Sequence, residues 1–573
     1  MPPSFTHHKA LDTYYAALAT YHAQHVTHEQ ATRLAFSTLL DTLAKTVGWT
    51  LILEQRLANR KRPDGTLVDS FKLPRGYWEA KDTQDDLDAE IQAKLRRGYP
   101  LTNTIFEDTR RAVLYQGGRP VFHADLSQRS QLAALLTQFF AYTGEQIEAF
   151  HAAVREFQAR IPELAQGLLA RVAEERQLNP RFVTACTAFH TLCQQALDPQ
   201  LSLAEVEVML VQHLLTERLF RTIFENPDFT RRNVIAAEIE KVIDALTSRA
   251  FNRREFLKRL DYFYLAIEAT AATISDFAQK QSFLNTVYER FFQGFSQQQA
   301  DTHGIVYTPQ PIVDFMVASV DALLQREFGR SLSTPGVKIL DPCTGTGNFI
   351  VNILRRFNRR DVAQKYREDL FANEVMLLPY YIAALNIEHA FYELTGVYEP
   401  FTGICFADTL DLAEAQQLGL FTEANTERVE RQKRAELTVI IGNPPYNVGQ
   451  RNANDNNKNR KYPVLDQRLA ETYVKSSTAT LRNQLYDAYV RFFRWATDRL
   501  HGRDGIVCYI SNNSFVDQLA FDGMRQQLEQ DFDQIYHLDL HGNVRKNPKL
   551  SGTTHNVFGI QVGVGPQIDI CTN

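Results

Sequence analysis

The stretch that most constrains the fold is an apolar run, VKILD (337–341), followed by a glycine turn and the apolar helical run NFIVNILRRF (348–357). The pattern recurs. LFANE (370–374) precedes LPYYIAALNIEHAFYEL, and LTVIIGNPPY (437–446) and GIVCYIS (505–511) are further β-branched runs. Short apolar strands alternating with helices predict a doubly wound, mostly parallel sheet over residues 298–573. Residues 127–297 show almost only helical spacing, as in QLAALLTQFFAYTGEQIEAFHAAVREFQARI, with few Gly or Pro breaks and no fixed-period repeat. They read as a helical spacer. Residues 1–126 mix helix (28–48) with strands at 49–57, 65–73, 76–82, 110–116 and 120–126, and a polar helix at 85–98. The expectation is an α/β multidomain chain of three parts.

Composition excludes little beyond that. At 44% hydrophobic and 23% charged, the chain is of ordinary globular type. No run approaches the length of a membrane span, and MPPSFTHHKALDTYY has no signal-peptide pattern, so a cytoplasmic location is expected. Lys and Arg total 62 against 67 Asp and Glu, leaving −5, which does not exclude a local basic groove for nucleic acid. The cysteines, Cys186, Cys193, Cys343, Cys405, Cys508 and Cys571, form no C-x-x-C pair and read as buried thiols in a reducing compartment.

Two elements carry chemistry in the last third. Asp341-Pro342-Cys343-Thr344-Gly345-Thr346-Gly347-Asn348-Phe349 sits where a strand passes into a helix, and its glycines let backbone amides approach a ligand. No Gly-Lys-Ser/Thr follows, which disfavours a phosphate loop, and a dinucleotide site lacks its third glycine. About a hundred residues on, Gly442 leads into Asn443-Pro444-Pro445-Tyr446. The prolines donate no backbone hydrogen bond and fix φ, so they present carbonyl oxygens beside the Asn443 amide at a strand's carboxyl end. Such acceptors suit an exocyclic amino group. Holding both its N–H bonds aims the nitrogen lone pair, and Tyr446 offers a face for a flipped base.

Together these residues resemble the S-adenosylmethionine-dependent N6-adenine DNA methyltransferases, in the gamma-class order of cofactor loop before catalytic tetrapeptide. The resemblance spans roughly residues 300–560. It implies that Tyr307, Thr308 and Pro309 flank the methionine end of the cofactor. Asp341, Cys343, Gly345, Gly347, Asn348 and Phe349 would form its loop. Glu374 would meet the ribose hydroxyls and Asp408, in CFADTL, the adenine amino group. Asn443, Pro444, Pro445 and Tyr446 would be catalytic. Glutamine and ribosomal-RNA methyltransferases share N-P-P-Y, so the neighbouring domains decide the substrate.

Near the N-terminus, Arg62-Pro63-Asp64 opens one strand and Glu79-Ala80-Lys81 lies in the next. A turn centred on Pro74-Arg75 would set Asp69 opposite Lys81, and Glu79 and Lys81, two apart, share a face. Two carboxylates there can hold Mg²⁺, with a lysine beside the attacking water. Asp69 and Glu79 are the first choice of metal ligands, Asp64 the alternative to Asp69, and Glu54 a further candidate. The arrangement resembles the PD-(D/E)xK nucleases. Nuclease, spacer and adenine methyltransferase in one chain resemble the fused restriction-modification enzymes of type IIG and type ISP, as do RGYWEAKDTQDDLDAEI, SNNSFVD and HGNVRKNP. No helicase motif is present, which departs from type ISP.

That resemblance implies duplex DNA with a flipped adenine as partner. Arg451, Lys458, Arg460 and Lys461 in the loop after Tyr446, and Arg545, Lys546 and Lys549, are candidate phosphate contacts. GIQVGVGPQIDICTN (559–573) reads as following the last core strand, leaving no room for a recognition domain. The expectation is a missing C-terminal recognition domain or a separate specificity subunit. The alternatives are a methyltransferase whose nuclease domain is degenerate, and a truncated, non-catalytic DNA-binding or assembly subunit.

Overall fold

The computed structural model describes residues 5–23, 29–55, 61–70, 73–81, 86–142, 145–197, 201–223, 228–247, 257–274, 308–413, 423–445, 461–480, 482–500, 502–543 and 563–572, with single positions 57, 199, 253, 283, 287 and 558 between them. The chain divides into two compact units. One is Met1–Arg160 with Arg259–Phe291; the other is Ile161–Lys258 with Phe292–Asn573.

The first unit is built on a six-stranded sheet in chain order: β1 (Thr50–Leu53), β2 (Gly65–Val68), β3 (Pro74–Ala80), β4 (Asn103–Glu107), β5 (Arg111–Gln116) and β6 (Arg119–Asp125). Neighbours are antiparallel except β3 and β4. A parallel step needs a crossover, and the helix Leu87–Arg96 supplies it, capped by the Asp86 carboxylate on the amides of Asp88 and Ala89. Its Leu87 and Ile91 pack on Phe106, Val113 and Tyr115. Residues of alternate parity face the other way: Trp78, Ile105 and Leu114 pack against Phe36, Leu40, Leu136 and Phe139.

Three expectations are corrected here. The strand expected at 49–57 ends at Leu53, because Glu54 turns the backbone to φ 50°. β4 is absent from the strands the sequence predicts, since its polar Asn103-Thr104 opening hides it. The turn expected at Leu73–Gly76 falls earlier. Asp69 and Leu73 close it, with Asp69 N donating to the Leu73 carbonyl and Leu73 N to the Asp69 carboxylate, both at 3.1 Å. Pro74 then opens β3, a place where the ladder tolerates proline, and the register pairs Gly65 with Trp78 and Leu67 with Gly76.

The second unit holds a seven-stranded sheet of β7 (Ile339–Asp341), β8 (Leu370–Glu374), β9 (Ile404–Phe406), β10 (Val439–Gly442), β11 (Gly505–Asn512), β12 (Gln534–His537) and β13 (Val564–Cys571), ordered β12-β13-β11-β10-β7-β8-β9. β9, β8, β7, β10 and β11 run parallel, and β13 runs against both its neighbours. This is the doubly wound, Rossmann-like architecture that the strand–helix alternation implies. The tail that reads as lying beyond the core is instead β13, almost wholly buried and paired on both edges. Its Gly-Pro content disguises it. The helices Pro463–Leu469, Ala488–Leu500 and Asp522–Asp531 cover one face, where Leu340, Ile440, Val507 and Tyr509 meet Tyr489, Phe493 and Met524. Gln310–Phe328 packs on β11, and Leu377–Thr395 on β8 and β9. The helical segment contributes Pro180–Ala196, Leu203–Ile223 and Val234–Leu246, packed on one another. Chain order reverses between β7 and β10, which opens a crevice at their carboxyl ends. Among the described residues no helix is long and apolar enough to cross a membrane. Cys186, Cys193, Cys405 and Cys508 are buried free thiols, but Cys343 and Cys571 are only partly buried.

Candidate functional site

Val439 and Ile440 of β10 pair with Ile339 and Leu340 of β7, so the strand ends that follow, Gly442 and Asp341, emerge side by side. A Cβ on Gly442 would lie 2.7 Å from Asp341 Oδ1, so any larger residue would force the Asp341 carboxylate to shift. Asn443 is half-buried, and its Nδ2 donates to Thr308 Oγ1 at 3.0 Å. The Thr308 carbonyl in turn accepts from Asn348 Nδ2 at 3.4 Å. Thr308 therefore bridges the strand-end asparagine and the first residue of the helix after the glycine turn. Pro309 caps the helix Gln310–Phe328. Pro444 is buried and Pro445 half-buried; Tyr307 and Tyr446 lie outside the described residues.

The glycine turn is held open by backbone that other residues rarely adopt: Gly345 has φ 54° and Gly347 φ 86°. Gly345 N donates to one oxygen of Glu374, and Met376 N to the other, each at 2.9 Å. Glu374 thus holds the turn and starts the next helix with one carboxylate. Burial pushes Glu374 up to about 7, and Asp341 also to about 7 despite the Cys343 amide at 3.2 Å. Burial, with the nearby Asp341 and Glu374 charges, raises the Cys343 thiol. Asn348 and Phe349 are buried in the helix start.

Asp408, two residues past β9, accepts from Leu410 N and from the Tyr462 hydroxyl, each at 2.9 Å. Three acids, Asp341, Glu374 and Asp408, therefore stand at or just beyond the carboxyl ends of β7, β8 and β9. Their charge is wrong for a phosphate and right for hydroxyl, amino or cationic groups, which is the donor set of S-adenosylmethionine. Tyr462 and the buried Asn373–Gln432 amide pair behind the turn have no signal in the sequence. Of the basic phosphate-contact candidates, only Lys461 lies within the described residues.

In the first unit the register sets the two aspartates in different places. Asp64, not Asp69, lies beside the Glu79-Ala80-Lys81 strand: its Oδ2 accepts from Ala80 N at 2.8 Å. Asp69 sits at the turn end of the hairpin, where His151 Nε2 is 2.8 Å away, so its expected place opposite Lys81 is overturned. Glu79 is nearly fully buried. Lys94 Nζ lies 2.5 Å from its Oε2, while Oε1 is buried with no partner. Burial raises the Glu79 carboxyl and Lys94 opposes it; Asp64 adds a like charge. Lys81 N donates to the Glu107 carbonyl at 2.8 Å, and its ammonium is 3.7 Å from Glu90. Burial pushes Glu107 up to about 8. Glu54 is exposed and pairs with Arg33 at 3.0 Å. Among the described residues no three His, Cys, Asp or Glu side chains are grouped to hold a metal. Glu79 Oε1 is orphaned, but Asp64 Oδ1 pairs with Arg33 at 3.0 Å, so a cation held by these two carboxylates would have to displace Arg33.

Comparisons with known proteins agree with the second unit's architecture. Residues 279–483 match the N-6 DNA Methylase family, and residues 132–279 match the coupler domain of type ISP restriction-modification enzymes. The chain resembles the protein in a cryo-EM structure of a DrdV–DNA complex, with 40% identity over 98% of this chain and 56% of that chain, and a TM-score of 0.70. It also resembles LlaBIII, an ATP-dependent type ISP restriction-modification enzyme bound to DNA, with 31% identity over 78% of this chain and 30% of that one, and a TM-score of 0.69. The adenine-specific methyltransferase PglX of Streptomyces coelicolor is 25% identical over 27% of this chain and 16% of its own. The chain thus spans about half the length of the DrdV chain and far less of the others. A Rossmann-like methyltransferase core, preceded by a segment like the type ISP coupler, is what this chain has in common with them.

Proposed function

We propose that the chain is an adenine-N6 DNA methyltransferase of a restriction-modification system, with a Mg²⁺-dependent DNA-cleaving domain in front of it. The observation that carries the first part is the meeting of Gly442-Asn443 with the Asp341–Gly347 turn at one crevice, tied by Thr308. S-adenosylmethionine, when bound, supplies a sulfonium methyl group. Asp341, Glu374 and Asp408 are the acids to hold its polar groups, and Gly345 and Gly347 keep the turn open for it. The Asn443 side-chain oxygen and the Pro444 carbonyl accept the two amino N–H bonds of a flipped adenine, which concentrates the lone pair on N6 and orients it. Tyr446 stacks on the base.

For the nuclease the carrying observation is the buried, unpartnered Glu79 oxygen beside Asp64. Asp64 and Glu79 hold Mg²⁺ and Lys81 orients the water.

The test is nucleoside analysis of duplex DNA incubated with the protein and labelled S-adenosylmethionine. N6-methyladenine is expected. Label in RNA or protein with DNA unmodified would overturn the substrate. Methylation without Mg²⁺-dependent cleavage would leave a methyltransferase with a degenerate nuclease domain.

A further inference from the structure

The helical segment meets the helix Leu377–Thr395 of the second unit through a buried polar chain. His213, on Leu203–Ile223, is fully buried. Its Nδ1 lies 3.0 Å from the Tyr381 hydroxyl and its Nε2 2.7 Å from Glu240. Arg253 donates to Glu240 and to Glu217, each at 2.9 Å. Burial raises the Glu240 carboxyl, but His213 and Arg253 outweigh it and hold it at about 2. Phe220 and Phe229 meet the Tyr381 ring edge-on at 5.8 and 5.2 Å, the second fixing its plane at 89°. Such a chain costs desolvation that apolar side chains of equal volume would avoid, so its use is registry rather than stability.

Tyr381 lies on the helix Leu377–Thr395, which also supports the glycine turn. Asn386 Nδ2 donates to the Thr346 carbonyl at 2.8 Å. The Ala383 backbone stands 3.2 Å from where a Cβ on Gly347 would be, and Ile387 3.3 Å. A helix is stiff, so a slide of a few tenths of an ångström at Tyr381 is felt at Gly347.

We propose that His213 is a positioning residue for the methyl donor. Through Tyr381 it sets the register of Leu377–Thr395, and that helix sets the turn Thr344–Gly347. The inference rests on reading that turn as the cofactor loop. It makes the coupler-like segment a determinant of cofactor affinity.

Calorimetric titration of S-adenosylhomocysteine into the full chain tests this, with Tyr381→Phe, His213→Gln and the double variant. Each single change should weaken binding roughly five- to tenfold, the value of one buried hydrogen bond. The double variant should be no weaker than the worse single, because both break one link. KM for S-adenosylmethionine should rise with kcat and the DNA KM little changed. Hydrogen exchange should quicken at Gly345 and Gly347 in Tyr381→Phe by more than its fall in thermal midpoint accounts for. Wild-type affinity in a folded Tyr381→Phe, which decides alone if His213→Gln does not fold, overturns the inference. A wild-type chain that binds no cofactor overturns the reading of the turn itself.

Discussion

At Gly442 a missing side chain lets two strand ends share one crevice. Adding a methyl would place it 2.7 Å from Asp341 Oδ1. Gly442→Ala is therefore predicted to cost about 1–3 kcal/mol and to weaken cofactor binding, checked by chemical denaturation and calorimetry. Unchanged stability would mean that the strand ends can part freely. Asp341 and Glu374 make a second prediction. Both are pushed up to about 7, well above ordinary carboxylates. A raised carboxyl in the folded state binds its proton more tightly than the unfolded chain does. Its stabilising effect is full below the unfolded value and is lost as pH rises through the folded one. The cofactor-free protein should lose thermal stability between about pH 4 and 7, and Glu374→Gln should flatten part of that slope. Cofactor affinity should rise over the same range, because the ionised acids suit a cationic ligand. A melting profile flat from pH 4 to 7 would contradict this.

Among the elements, the hairpin of β2 and β3 shows where sequence reasoning reaches and where it stops. The Glu79-x-Lys81 spacing is legible in the sequence, although β3 itself ends at Ala80. The partner aspartate is not, because it depends on where the turn closes. Asp69 takes the turn by bonding its own hairpin, and Pro74 joins the strand. Lys94 and Glu107 come from a helix and a strand far along the chain, which no local pattern links to Glu79. Asp64→Asn is predicted to abolish Mg²⁺-dependent cleavage and to weaken Mn²⁺ binding, whereas Asp69→Asn should leave both nearly intact. Lys81→Ala should remove cleavage and spare methylation. The reverse ranking of the two aspartates would restore the register expected from the sequence. β10 and its Asn443 corner were legible for the opposite reason: strand, turn and chemistry are contiguous there. β13 was hidden by Gly565 and Pro566, residues that usually mark loops but here pair with Ser511 and Ile510 of β11.

At the level of the whole molecule, the compact units do not fall at a single break in the sequence. The helical run reads as one spacer, yet Ile161–Lys258 is part of the unit that holds the seven-stranded sheet. Periodicity finds helices but not their partners; His213 and Tyr381 are 168 residues apart. Two units with separate cores predict two calorimetric unfolding transitions. S-adenosylhomocysteine should raise only the one that belongs to the second unit. A single transition shifted as a whole would contradict independent unfolding. The central claim is that the turn at Asp341–Gly347 and the corner at Asn443 form one site with divided labour. Methyl transfer by Asn443→Ala, measured on protein whose cofactor affinity is determined in the same sample, tests it most directly. Affinity should stay close to wild type while transfer to DNA falls on the order of a hundredfold or more. Transfer retained at the wild-type rate, or affinity lost together with it, would contradict the account.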